Sequence, residues 1–468
     1  MNNSVLDSKT DRFLNYKMII SALLLSAVAF LIIYFGLPIY IIAAFLIALP
    51  VIILSLSNYN FTSFLLLIAL FTNSFYLNIY IVVLIPFILL VAFLIERGRL
   101  DFLADKRILL ALLIYLGSVL ISIINSYNFF LSLYLIINFV SFSVIIFLVR
   151  EIITDFNEIR MYLKLFIIFC VINGLNVITV SLLTSNRVFG FAGIVFVDYS
   201  AIAILILCIK LILKEGINKF KYLPVIILLL LALIFTQSRG ALATLVITLS
   251  ILYLFFLVKS DLFNFRRRKI LSYGIVSFLL IGLILIGLYI SKPEVFERYG
   301  QFNNLDVSTV KFETDFTESS IFSRLLLWST SLRAFEAHPI IGIGAFSFPF
   351  GSVEYSKLSP YLYNNFVKGL SPHITYLAVL VETGLLGFFA FIFLISTLYK
   401  TTKRVMMTGI FSDQKEVGII LYFVQIYIFI SMLITDAWLW GQCGILWGIS
   451  IGLILANEKI LLSDRNSR

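Results

Sequence analysis

The chain has 468 residues, of which 61% are hydrophobic and only 13% charged, with a mean hydropathy of +1.07. Soluble domains carry roughly 45–50% apolar and about 25% charged residues, so a water-soluble globule of this composition would have apolar surface left over with nowhere to bury it. Cytosolic enzymes, secreted disulfide scaffolds and disordered chains are excluded, which leaves an integral membrane protein.

The formal net charge of +10 fits basic anchors at one membrane face and argues against nucleic-acid binding. Cys170, Cys208 and Cys443 each lie inside an apolar run, a setting that disfavours a disulfide framework or a zinc site. A bilayer core takes about 20 apolar residues per helix. In chain order such runs fall near 18–35, 37–56, 61–73, 76–95, 108–124, 129–149, 161–183, 196–213, 222–237, 240–258, 270–290, 374–398, 417–435 and 441–457. The third is cut short by Asn73 and Ser74, so the expectation is an all-α polytopic membrane protein with about 14 (12–14) transmembrane helices. The first run follows Lys9, Arg12 and Lys17 and leads directly into another apolar run. It reads as a retained anchor and not as a cleaved signal peptide.

With the N-terminus inside, most of the 35 Lys and Arg residues collect on the cytoplasmic side, including Arg97, Arg99, Lys106, Arg107, the run Arg266 to Lys269, Lys403 and Arg404. That bias puts both termini in the cytoplasm. The whole chain, 1–468, then reads as a single multi-pass domain with one inserted outer loop, 291–372. Within the loop, Ile321, Leu325, Trp328, Leu332 and Phe335 recur at spacings of four and three, which predicts an amphipathic helix from Ile321 to Ala337 with these residues as its packed face. Pro339 should end it, with Gly342 and Gly344 forming a turn.

Groups able to do chemistry on the outer side are few. Arg187 opens a short outer loop. Gln237-Ser238-Arg239-Gly240 joins two helices almost without a loop, so that Ser238 can cap the second helix and Arg239 stands beside its free N–H groups. Such a place suits a phosphate or pyrophosphate; a snorkelling interfacial arginine is the alternative. Arg324 and Trp328 share one face of the surface helix while Arg333 points elsewhere, and either arginine could reach a phosphate. Ser371-Pro372-His373 opens the next helix, Ser as cap and Pro in the first turn. A histidine held there suits a general base acting on a hydroxyl, or else it is an ordinary interfacial residue. His338, ahead of Pro339, reads as a helix-ending contact. Glu382 falls at bilayer depth, where a carboxylate is a functional candidate or pairs with a neighbouring helix. Asp436, between helices and near Trp438 and Trp440, reads as an aromatic-belt turn. There is no metal-ligand cluster, Gly-rich nucleotide loop or nucleophile elbow, so no metal or other cofactor is implied.

Three segments together resemble the O-antigen polymerase and ligase superfamily of bacterial envelope polysaccharide synthesis. They are Ser238-Arg239-Gly240-Ala241; Arg324, Trp328 and Arg333 leading into His338-Pro339-Ile340-Ile341-Gly342-Ile343-Gly344; and His373, Tyr376, Glu382, Gly384 and Gly387. The resemblance implies a GT-C-like, metal-independent inverting glycosyltransferase of the bacterial inner membrane. It would take an oligosaccharide from an undecaprenyl pyrophosphate donor and pass it to a glycan acceptor on the outer side, with room for a chain-length regulator as a further partner. His373 would be the base and Arg239 would act with it. Arg239 and Arg324 would hold the donor pyrophosphate, Arg187 would assist, and Arg333, Tyr376 and Glu382 would complete the substrate contacts. A polymerase of lipid-linked O-antigen, capsule or related repeat units is the leading expectation, and a ligase acting on lipid A–core or protein is the alternative. A lipid-linked sugar transporter is disfavoured, because transporters concentrate ionisable groups near the midplane.

Overall fold

The computed structural model describes residues 63, 66, 70–71, 78–97, 100–184, 188–213, 217–259, 320–408, 412–436, 438 and 441–466. These residues are helical, with no strand among them. The expected spans near 18–35, 37–56 and 270–290 lie outside the described residues, as do most of 61–73 and the loop up to residue 319. By its internal contacts the chain forms two compact units, 1–65 with 87–100, and 66–86 with 101–468. Every residue discussed from here on belongs to the second.

Among its described residues, that unit contains eight helices long and apolar enough to cross a membrane. They are α1 (Lys106–Ser122), α2 (Phe129–Ile152), α3 (Phe156–Thr184), α4 (Phe196–Leu213), α6 (Arg239–Val258), α9 (Thr375–Thr408), α10 (Ser412–Ser431) and α11 (Gly441–Asn466). Between α4 and α6 the run expected as a full span is a shorter helix, α5 (Leu223–Phe235). Its 13 residues rise about 20 Å, short of the roughly 30 Å hydrocarbon core. Pro224 begins it, and it stops at Phe235, two residues before a left-handed Gln237 (φ 53°).

Inside a membrane, helices gain little from excluding water, so they are held by close packing and by polar ties. Both appear here. Gly448 and Gly452 of α11 lie against α2: a Cβ at Gly452 would sit 2.6 Å from Val149 Cβ and 2.8 Å from the Ile146 carbonyl oxygen. Trp447 Nε1 donates to Gln425 Oε1 (3.0 Å), and Gln425 Nε2 donates to Ser450 Oγ (2.7 Å), which joins α10 to α11. Asp198, at the start of α4, accepts from Tyr427 (2.7 Å) and Ser431 (3.0 Å), which joins α4 to α10. Trp438, expected at an interfacial belt, is instead fully buried and donates to Ser431 Oγ at 2.9 Å.

The segment expected as the outer loop contains α7 (Ser320–Ala337) and α8 (Pro360–Phe366). The helix Ile321–Ala337 forms as expected, but its packed face is rotated. Leu325 (52% exposed) and Leu332 (49%) face outward, while Leu327, Thr330, Ser331 and Ala334 are fully buried. The hydroxyls of Thr330 and Ser331 return to their own helix, bonding the carbonyls of Leu326 (2.9 Å) and Leu327 (2.7 Å). A Ser or Thr satisfied in this way packs as a small apolar residue, so polarity alone misassigned the face. Leu327 and Ala334 join Ile343, Phe348, Tyr363, Phe366, Val367 and Val381 in one cluster.

Candidate active site

Three turns meet at one end of the bundle. The first is Gln237-Ser238, entering α6. Ser238 occupies the N-cap position in extended backbone, but its side chain makes no capping hydrogen bond, contrary to the sequence expectation. Arg239 is the first residue of the helix and is half-buried. Beside it Gly240 abuts Ile434, where a Cβ would stand 2.7 Å from Ile434 Cγ2. A larger residue there would have to push the Ile434 side chain aside.

Ile434 belongs to the second turn, 432–436, which follows α10. The third is the entry to α9. Thr375 N donates to the carbonyls of Met432 (2.9 Å) and Thr435 (3.2 Å), and Thr375 Oγ1 donates to Thr435 O (2.6 Å). The N–H of Thr375, the first residue of α9, is thus met by turn 432–436, where the sequence suggested Ser371 as the cap. His373 consequently lies two residues outside α9, with a left-handed backbone (φ 57°). The connection through Ile434 and Thr375 brings the Arg239 and His373 segments, far apart in sequence, onto the same turn.

Asp436, in that turn, is the residue that sequence reasoning set aside. Its carboxylate is buried, with Oδ1 3.9 Å from His373 Nδ1. Burial pushes the Asp436 carboxyl up, but the His373 imidazole and the Ser371 hydroxyl outweigh it and hold the group below the usual carboxylate range. Asp436 is therefore ionised at neutral pH. An acid placed beside a tryptophan gave no sign of this, because its partner comes from a different helix entrance.

The surface helix α7 reaches the same place. Trp328 Nε1 donates to Pro372 O (3.1 Å), one residue before His373. Arg324, one turn earlier on the same face, lies within electrostatic range of Asp436: burial lowers its guanidinium, and Asp436 works against that effect. Arg333 is not brought to this cluster in the same way; its Nη1 is buried without a hydrogen-bond partner among the described residues. Tyr376, in the first turn of α9, donates to the carbonyl of Phe429 (3.2 Å). His338 follows the last residue of α7, and its N–H bonds back to Ala334 O (3.2 Å), as a helix-ending residue should; its ring meets Tyr355 edge to face. Arg187 lies outside the described residues.

Glu382 is 5% exposed, and its carboxylate is taken up by protein backbone, Oε2 accepting from Phe346 N (3.0 Å) and Oε1 from Phe348 N (3.4 Å). Two residues on, α9 breaks at Gly384 (φ 64°, ψ −167°), a conformation that only glycine adopts without strain. The loop after Pro339 enters the break. Leu385 N and Leu386 N donate to Pro339 O (2.8 Å) and Ile340 O (3.1 Å), and Ile343 N and Gly344 N donate to Val381 O and Glu382 O (3.0 Å each). Gly342 is needed for this approach, since a Cβ would come within 2.4 Å of the Glu382 backbone.

Among the described residues, three non-glycine positions have left-handed backbone: Gln237, Phe346 and His373. One precedes Arg239, one is held by Glu382 and one is the candidate base. Strained backbone gathers where function requires a set geometry. No curated protein matches the chain. Residues 224–392 match the sequence family described as O-antigen ligase, a stretch that takes in Arg239, the surface helix, His373 and Glu382. Over this segment the membrane protein is similar to the O-antigen ligase family, in line with the resemblance to the O-antigen polymerase and ligase superfamily read from its sequence.

Proposed function

We propose that the protein is a glycosyltransferase that extends envelope polysaccharide from an undecaprenyl-pyrophosphate-linked oligosaccharide, using the His373 cluster. The chain would cross the bacterial inner membrane with about fourteen helices in a GT-C-like arrangement, both termini cytoplasmic and the cluster facing outward. The observation that carries the proposal is the shared turn 432–436: it touches the Arg239 helix start through Ile434, bonds the start of α9 and presents Asp436 to both His373 and Arg324.

The chemistry then follows from the groups. The acceptor hydroxyl oxygen attacks the anomeric carbon of the donor sugar as the bond from that carbon to the pyrophosphate oxygen breaks. His373, with Nδ1 turned to Asp436, takes the hydroxyl proton on Nε2. Asp436 holds the imidazole and stabilises the positive charge it gains, the role such an acid plays beside a catalytic histidine. Arg239 and Arg324 stabilise the charge developing on the departing lipid pyrophosphate, with Arg187 assisting. A single base and an in-line displacement give inversion at the sugar carbon. Arg333 and Tyr376 would contact substrate beyond the reacting atoms.

The test uses purified protein and lipid-linked repeat units. Longer chains from repeat units alone indicate a polymerase; product only on adding lipid A–core indicates a ligase; leaflet-to-leaflet movement without a new glycosidic bond indicates a transporter and refutes the proposal. His373→Asn should abolish transfer and leave thermal stability close to wild type, because Asn tolerates left-handed backbone. Arg239→Ala should do likewise. Polymer ladders like those of the wild type from both variants would remove the two residues from the site.

A further inference from the structure

Glu382 is a buried acid that the transfer chemistry does not use. Each of its oxygens accepts from a backbone N–H, of Phe346 and Phe348, and the residue is only 5% exposed, which sets the carboxylate away from an incoming sugar. Phe346 is the non-glycine residue of this loop with left-handed backbone (φ 57°), so the carboxylate bonds the chain at its strained point. The same loop is tied on its other side by Asn125 Nδ2 to Gly342 O (2.8 Å) and by Ser132 Oγ to Ala345 O (2.5 Å).

The loop closes a ring of contacts. The surface helix α7 carries Arg324 and runs through His338 into the loop; the loop is bonded to α9 on both sides of Gly384; α9 begins two residues after His373; and Trp328 of α7 bonds Pro372. The position of Arg324 relative to His373 therefore depends on the register of the loop against α9. We propose that Glu382 is a positioning residue: by holding residues 346–348 in their strained register, it fixes the Arg324-bearing helix against His373. The proposal rests on the assignment of those two residues to the transfer site.

The experiment compares wild type with Glu382→Gln, Phe346→Gly and the double variant, all as full-length purified protein. Gln keeps the size but turns an amide NH2 towards one of the two N–H donors. Glu382→Gln should speed amide exchange in peptides covering 339–350 and lower kcat about 10–100-fold at unchanged donor KM, the scale expected when reacting groups shift by about 1 Å. Phe346→Gly removes the cost of the left-handed residue; alone it should leave kcat close to wild type, and in the double variant it should restore most of the lost kcat and of the exchange protection. An unchanged exchange pattern in Glu382→Gln with a raised donor KM would overturn the proposal in favour of direct substrate contact. So would a double variant no better than Glu382→Gln. If the wild type shows no transfer, the functional assignment fails, while exchange protection and its restoration still decide whether Glu382 holds the loop.

Discussion

Replacing Asp436 by Asn tests the heart of the proposed mechanism, because it removes a charge while keeping the side chain's size. At the 3.9 Å separation of Oδ1 and Nδ1, a carboxylate and an imidazolium attract by about 4 kcal/mol at an effective dielectric of 20 and about 1 kcal/mol in water. The His373 side chain is 39% exposed, so solvent screens the pair and the low end applies, about 1–2 kcal/mol. The attraction exists only once His373 has accepted the proton, so its loss falls on the transition state and not on donor binding. Asp436→Asn should therefore lower kcat roughly 5–30-fold. The donor KM should be unchanged or lower, because Arg324 loses its competing anion. An Asn amide that donates to Nδ1 would favour the tautomer protonated on Nε2 and deepen the loss. The assay is initial-rate transfer from lipid-linked repeat units over a range of donor concentrations. A variant with wild-type kcat, or one whose whole defect lies in KM, would refute the role given to Asp436.

The same carboxyl predicts a pH effect on stability. Its pKa is held below the ordinary carboxylate range in the folded protein, so the stabilisation it provides is present at neutral pH and is lost as pH falls through the carboxylate range and below it. Thermal unfolding in detergent between pH 7 and pH 3 should show a shallower acid decline in Asp436→Asn than in wild type; identical profiles would count against the buried pairing. Gly384→Ala should be severely destabilising, roughly 3–5 kcal/mol, since the new Cβ would meet Ile340 O at 2.3 Å in a left-handed backbone. Loss of loop protection in limited proteolysis would report it, and a well-folded, fully active Gly384→Ala would show that the break in α9 is dispensable.

Much of the fold was legible because membrane helices declare themselves locally. A run such as Phe196–Leu213 is predominantly apolar, and its observed limits coincide with the expected ones. The expected helix of the outer loop differs from the observed one by a single residue at its start. What misled was polarity at fixed positions. Thr330 and Ser331 face inward because their hydroxyls bond their own helix, and Leu325 and Leu332 face outward. The helix expected at 222–237 stops at Phe235, two residues before a left-handed Gln237, a backbone choice that composition does not report.

The individual residues of the site were visible as types in sequence: an arginine at a helix start, a histidine after proline, an acid at bilayer depth. Local pattern sufficed for that, since hydropathy and helix-start chemistry are properties of neighbouring residues. Which of them share a turn was decided by packing between helices distant in the chain. Turn 432–436 bonds the start of α9, carries Asp436 to His373 and Arg324, and packs Ile434 against Gly240. Contacts of this kind depend on how whole helices meet, and no window of sequence contains both sides of them.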